Sequence, residues 1–305
     1  MALLRILSRT RLTVPQLQMN ASIFQLVSLL ALTAACFASG CVPSDVSDLD
    51  HDPYADNSFE EEGLEQFFGG RSALLLSSKQ IDVKSSQSSV TDQSSDSVTV
   101  NVAVKFKNLE DSNYGTAAVI DSRGYFVTAA HCVEEQEIYA FYPDSKNNFA
   151  PQKIRIVWKG NPSRKDFDFA IFHVKAPPAR IFHWSDSFEN GEAVFSAGNT
   201  LNQQKEGTTG PMFNLDSFKG ELEGSDARIF KGIAYQRISH RSPIPKRNSG
   251  GPLVNGKGKL IGINYSGAYS FKSSSESETP VSKAIRPDLK WLKAIIEKDY
   301  ASISY

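Results

Sequence analysis

Between Val98 and Ser196 the apolar residues come in short runs broken by Gly, Pro, Asn, Asp and Ser, and no stretch keeps the spacing of a long helix. Val98, Val100, Val102, Val104 and Phe106 alternate onto one face, the pattern of a half-buried strand that opens the folded region. Val119-Ile120, Tyr125 to Val127, Ile154 to Trp158, Phe169 to Val174 and Ala193 to Ser196 follow at intervals typical of an all-β barrel or sandwich. Pro177-Pro178 breaks this series and is a natural crossing between two sheet units. Only Asp288 to Asp299 carries a helical stripe, with Leu289, Leu292, Ile295 and Ile296 on one side and Pro287 ahead of it. A chain of 305 residues, 40% of them hydrophobic, is long enough to give such strands a sizeable core, as one large or two small domains.

Residues 1 to 97 read differently. Arg5, Arg9 and Arg11 precede an apolar run from Ala21 to Ala38 and then small residues, so residues 1–40 are expected to be an export signal. The run is interrupted by Gln25 and Ser28 and lacks a basic stop, which argues against a spanning helix. Ala38-Ser39-Gly40-Cys41 resembles a bacterial lipobox, which would make Cys41 a lipidated first residue. Cys36 is a second candidate, and a conventional signal cut near the same place is the alternative. Residues 41–97 are expected to be a flexible tether. Nine Asp or Glu fall between 42 and 68, and Ser-rich stretches follow, too little apolar surface to offset ordering entropy apart from an island at Ala73 to Leu76 that reads as an extra strand or a docking segment. From residue 69 onward 30 basic residues face 25 acidic ones, a surplus too diffuse to indicate nucleic acid.

Chemistry concentrates in three short segments. In Arg247-Asn248-Ser249-Gly250-Gly251-Pro252 two glycines after a serine permit a tight bend and keep side chains clear of the hydroxyl, although the same residues also suit an ordinary hairpin turn. A serine attacks well only beside a general base, itself oriented by a third group. His131, in Thr128-Ala129-Ala130-His131-Cys132, offers an imidazole with an ordinary pKa near ~6.5; a satisfied core histidine is the plainer reading. Asp168 opens an apolar strand, where a carboxylate is costly unless hydrogen-bonded, and Asp166 two residues earlier is its competitor. His51, His173, His183 and His240 have no such context, and no His or Cys pair has metal-ligand spacing.

Together these segments resemble the signatures of the chymotrypsin-fold (trypsin-like) serine peptidases, in the family's order His, Asp, Ser and near its intervals, over about residues 98 to 300. Gly191 to Asn199 and Leu260 to Asn264 are nearer to its bacterial envelope branch. The resemblance implies two six-stranded antiparallel β-barrels, about 98–176 and 183–285, closed by a C-terminal helix at about 288–299. It implies an exported endopeptidase, lipid-anchored or periplasmic in the envelope or secreted. Ser249 would be nucleophile, His131 base and Asp168 orienter, with protein or peptide substrates, no cofactor and no metal. The oxyanion hole falls to the N–H groups of Arg247 and Ser249. Arg247 stands where the family nearly always has glycine, which keeps a catalytically impaired binding or scaffold lipoprotein open as the alternative. Asn248 replaces the aspartate that binds a newly cut N-terminus, so no such activation is implied. The specificity pocket maps to Pro243, Ile244, Asn264 and Tyr265. With no acid on its floor it disfavours Arg and Lys and leans to a small or medium apolar side chain, while Lys246 and Arg247 offer an acidic one an attraction. Cys132 lacks the partner cysteine seen in many relatives, since Gly115 to Ala118 stands there, and reads as a small core residue, with catalysis by its thiol the alternative.

Overall fold

The computed structural model describes residues 63–77, 81–91, 99–106, 114–134, 137–146, 150–162, 166–202, 212–245, 248–267 and 281–303. The expected signal, Cys36, Cys41, Lys246 and Arg247 lie outside them. A short helix, α1 (Leu64–Gly69), leads into β1 (Ser72–Ser77), followed by a hairpin of β2 (Ile81–Thr91) and β3 (Thr99–Phe106). Then come β4 (Gly115–Asp121), β5 (Tyr125–Thr128), a 3-10 turn (Ala130–Val133), β6 (Ile138–Phe141), β7 (Gln152–Lys153), β8 (Arg155–Lys159) and β9 (Ala170–His173). The second half contains β10 (Ala193–Asn202), β11 (Met212–Phe230), β12 (Ile233–His240), β13 (Pro252–Asn255), β14 (Leu260–Ser266), β15 (Ser282–Pro287) and α2 (Leu289–Ile303). The chain is all-β with one C-terminal helix, as expected, in two main antiparallel sheets.

The first sheet departs from the expected six-stranded barrel. It has seven strands in the order β7-β6-β1-β4-β5-β9-β8, and its pairings do not close among the described residues. The alternating strand from residue 98 is not part of it, because β3 pairs with β2 in a separate ribbon whose side chains lie outside the description. Its place is taken by the apolar island of the expected tether. Leu74 sits opposite Thr116 of β4 on one side and Phe141 of β6 on the other, and Ala73, Leu75 and Leu76 are all buried. A continuous apolar run suits a strand flanked on both edges and covered on both faces, so the folded unit begins upstream of residue 98. Arg71 reinforces this. It is 1% exposed, with Nε donating to Ile181 O at 3.0 Å, Nη1 donating to Phe67 O at 3.0 Å, and the guanidinium 4.3 Å above the Phe67 ring.

The second sheet is a closed six-stranded barrel, β10-β11-β12-β15-β14-β13. Its interior is apolar around Val194, Leu222, Ile238, Leu253, Ile261 and Ala284. The long β11–β12 hairpin is invisible as an apolar pattern, because most of its side chains are exposed or half-buried. Its tip is legible in the backbone: Lys231 and Gly232 both take positive φ (49° and 82°), the requirement of a tight two-residue hairpin turn between Phe230 and Ile233.

A third apolar cluster joins both sheets and α2 through Phe167, Phe169, Tyr235, Tyr265, Leu292 and Ile296. Asp288 Oδ1 accepts the Trp291 N–H at 2.7 Å and caps α2, which runs on to Ile303. On the first sheet, Arg123 bridges Asp121 and Glu297, while Asp299 accepts from Arg155 and from the Tyr125 hydroxyl. Trp158 and Trp291 meet edge to face at 4.8 Å.

Candidate active site

Strand register brings the first two candidates together. β5 pairs with β9 through Thr128 and Ala170, so the residues just past Thr128 run alongside those just before Ala170. Ala129 and Ala130 are fully buried, and their small size lets the chain turn at once into the 3-10 segment that carries His131. Asp168 faces it and is fully buried, while its chain neighbours Phe167 and Phe169 stack on each other in the core at 5.4 Å. Its two oxygens are both used by His131. Oδ2 lies 2.7 Å from Nδ1, and Oδ1 accepts the His131 backbone N–H at 3.0 Å. A carboxylate only accepts, so Nδ1 carries the proton and the neutral ring has its lone pair at Nε2. Burial pulls the imidazole pKa down, but the Asp168 carboxylate, with a further contribution from the Cys132 side chain, outweighs it, and the pKa is raised above its ordinary value. Asp166 turns to the surface, accepting from Asn161 Nδ2 at 3.1 Å.

Ser249 sits half-buried at a bend built by its neighbours. Asn248 N–H donates to Pro245 O and Gly251 N–H to Asn248 O, both at 3.1 Å, closing the turn. Gly250 has φ of +85°, and a Cβ there would lie 2.1 Å from both Thr116 O and Thr128 Oγ1. A Cβ on Gly251 would lie 2.0 Å from Ala197 O. The two glycines are therefore required by backbone packing against the first sheet and β10, rather than by clearance in front of the hydroxyl. The bend is also hooked to its surroundings. Ser249 O accepts from Thr116 N–H at 2.9 Å and from the Cys132 thiol at 3.3 Å, and Gly250 N–H donates to Asn264 O at 2.6 Å.

Thus Ser249 is bonded directly to the residue that follows His131. No hydrogen bond joins the His131 and Ser249 side chains, and the Ser249 N–H has no acceptor among the described residues. Cys132, Thr116 and Thr128 are structural members of this site that the sequence alone did not single out as such. Asn248 is 2% exposed, and neither atom of its amide has a partner among the described residues. A cavity of about 60 Å³ opens beside His131 and Cys132, walled by Leu75, Leu76, Ser77, Glu134 and Ile138.

The four pocket candidates lie on the second barrel. Pro243 is half-buried and Ile244 is buried. Asn264 points into the barrel, where its Nδ2 donates to Pro252 O at 3.2 Å and its Oδ1 lies 3.1 Å from His240 Nε2. Tyr265 is a member of the core cluster between the sheets, and burial raises its hydroxyl pKa.

Residues 115–263 match the trypsin-like peptidase domain. These residues, just under half of the chain, are a domain of the chymotrypsin-fold serine peptidase type. Among curated proteins, the chain is 26% identical to a probable periplasmic serine endoprotease DegP-like of Ectopseudomonas mendocina (strain ymp), over 62% of this chain and 39% of that protein. It is 29% identical to the putative serine protease HhoB of Synechocystis sp., over 49% of this chain and 33% of that protein. The chain thus spans well under half the length of these relatives. The solved structure of the HtrA-type protease AlgW with decapeptide is 18% identical with a TM-score of 0.47, covering 75% of this chain and 65% of that one.

Proposed function

We propose that this chain is an exported serine endopeptidase acting on peptide or protein substrates without a cofactor. The observation that carries the reading is the fully buried Asp168 holding the proton-bearing Nδ1 of His131, with the Ser249 bend hydrogen-bonded to the next residue, Cys132. In this reading Ser249 Oγ attacks the scissile carbonyl and its proton passes to His131 Nε2. The carbonyl oxygen, now carrying the negative charge, is held by the N–H groups of Ser249 and Arg247. His131 then gives the proton to the leaving amine as the C–N bond breaks. Water, deprotonated by the same ring, releases the acyl group from Ser249. Asp168 stays ionised throughout and keeps the imidazole in the required tautomer. The pocket is assigned to Pro243, Ile244, Asn264 and Tyr265, with no acidic floor for Arg or Lys.

Two observations favour a second reading, an inert binding or scaffold protein: Arg247 in the oxyanion loop, and the missing hydrogen bond between His131 and Ser249. The second is common in resting enzymes, where catalytic hydrogen bonds tighten only with substrate, and the peptidase reading is the better supported. Labelling with a fluorophosphonate separates the two. The intact chain is expected to be modified, and Ser249→Ala and His131→Ala are not. An unlabelled wild type whose Arg247→Gly variant is labelled would establish the inert reading.

Export through residues 1–40 and anchoring through Cys41 belong to the same proposal. Cys41→Ser together with Cys36→Ser should move the protein from the membrane to the soluble fraction, and an unchanged distribution would remove the lipid anchor.

A further inference from the structure

The interior of the closed barrel is layered. Above Ile238, Ala284 and Leu253 lies a level that is polar: His240, Ser282, Asn264, Ser242 and Ser196, each 2% exposed or less. His240 and Ser282 face each other in register across β12 and β15. This level is the one next to the Ser249 bend, because the Asn264 backbone accepts from Gly250 N–H and donates to Gly251 O at 2.9 Å while its side chain faces His240.

Most of these groups satisfy one another. Ser242 Oγ donates to Phe218 O at 2.8 Å, and Ser196 Oγ lies 2.7 Å from Ser242 Oγ and 3.1 Å from Pro243 O. Two do not. His240 Nδ1 and Ser282 Oγ have no hydrogen-bond partner among the described residues. Asn264 fixes what they offer. Its Nδ2 is spent on a carbonyl, so its Oδ1 is the acceptor and His240 Nε2 must carry the proton, which leaves Nδ1 a bare acceptor in the neutral ring. Ser282 supplies a hydroxyl that donates and accepts. It lies just under exposed Gly267, whose added Cβ would be 3.3 Å from Ser282 Oγ and 2.6 Å from the Cβ of Ile244, a residue already assigned to the pocket.

Buried groups with unmet hydrogen bonds discriminate strongly, because a ligand that fails to pair them leaves them desolvated. Building on the peptidase reading, we propose that His240, Ser282 and Asn264 form the floor of the pocket for the residue before the scissile bond, and that this floor selects a carboxamide side chain, glutamine or asparagine. An amide supplies an N–H for His240 Nδ1 and a carbonyl for the Ser282 hydroxyl from two adjacent atoms. An apolar side chain pairs neither group. A carboxylate brings no donor for Nδ1, and burial, aided by Lys283, lowers the pKa of His240 to about 4, so the floor carries no charge at neutral pH. A Lys or Arg side chain finds no carboxylate among these residues.

The test is a library of peptides varied at the residue before the cleaved bond, digested by the full chain and read by mass spectrometry, with fluorophosphonate labelling in parallel. Labelling with cleavage led by Gln and Asn is the expected result. Labelling with cleavage led by any other class of residue overturns the floor assignment and leaves the peptidase reading intact, whereas absence of both labelling and cleavage overturns the two together. In Ser282→Ala and His240→Phe the ratio of kcat/KM for a Gln substrate over its Leu counterpart should fall by about 10- to 100-fold. An unchanged ratio in Ser282→Ala overturns the proposal even if His240→Phe fails to fold.

Discussion

Asp168 grips His131 from two directions, with Oδ2 2.7 Å from the ring Nδ1 and Oδ1 receiving the same residue's backbone N–H at 3.0 Å. The carboxylate therefore fixes ring and main chain together. Asp168→Asn keeps the shape but offers an NH₂ where an acceptor is needed, so the ring must turn its proton to Nε2 and cease to be a base. By the behaviour of triads in general, kcat should fall about 10³- to 10⁴-fold while thermal stability changes little. Steady-state kinetics beside a melting curve checks this, and a loss under tenfold would mean that Asp168 does not orient the base.

The pH profile follows from the same pair. In the proposed mechanism His131 must be neutral to take the Ser249 proton, and its folded-state pKa is raised, so the rising limb of kcat/KM should lie above ~6.5. Stability has the opposite sign. A histidine whose pKa is raised on folding contributes stability that is full below its unfolded pKa and is lost as pH rises through the folded one. Activity should thus grow across the window in which the melting temperature declines. A rising limb centred below 6 would contradict this account of the site.

Gly250→Ala tests the packing of the bend that carries Ser249. At φ +85° any Cβ is strained by roughly 1–2 kcal/mol, and here it would also meet Thr116 O and Thr128 Oγ1 at 2.1 Å. Relief requires breaking the 2.7 Å bond between those two groups. A total cost of about 3–5 kcal/mol is expected, seen as a fall in Tm of roughly 6–20 °C with loss of fluorophosphonate labelling. A stable, fully labelled alanine variant would show that the bend has room this geometry denies it.

The role of β1 predicts where the chain can be shortened. A protein beginning at residue 63 should unfold cooperatively, whereas one beginning at residue 98 leaves β4 and β6 without the strand between them and removes Arg71 from its carbonyls. The shorter protein is expected to lack a sharp melting transition and to aggregate through its exposed strand edges. A soluble, cooperatively folded product from residue 98 would refute the central place given to β1.

How far the sequence discloses this molecule varies with the source of the information. His131, Asp168 and Ser249 are legible because each sits in a short pattern of small or apolar neighbours that only a few backbone geometries use, and α2 because Pro287, Asp288 and an apolar stripe mark its start. The register of β5 against β9 explains why Asp168, not Asp166, reaches the histidine. Other features depend on partners far away in the chain. The alternation from Val98 correctly indicates a strand but carries no information about its neighbour, and β2 proves to be that neighbour. Ala73 to Leu76 is submerged in acidic and serine-rich surroundings, although four apolar residues in a row are what a covered central strand requires. The β11–β12 hairpin lacks an apolar face because much of it is exposed. His240 gave no signal, since its meaning arises only when Ser282 and Asn264 are brought beside it.

The C-terminal helix has a consequence for the chain as it is made. Arg123, on the turn before β5, and Tyr125, at the start of β5, are held by Glu297 and Asp299, residues 174 positions later, and Arg155 by Asp299. Those two carboxylates are synthesised well after the strand that they hold. Until residues 297 to 299 have left the ribosome, the strand leading to His131 lacks its outer fastening. The order of synthesis therefore leaves the segment carrying His131 unsupported on this side until residues 297 to 299 have been made.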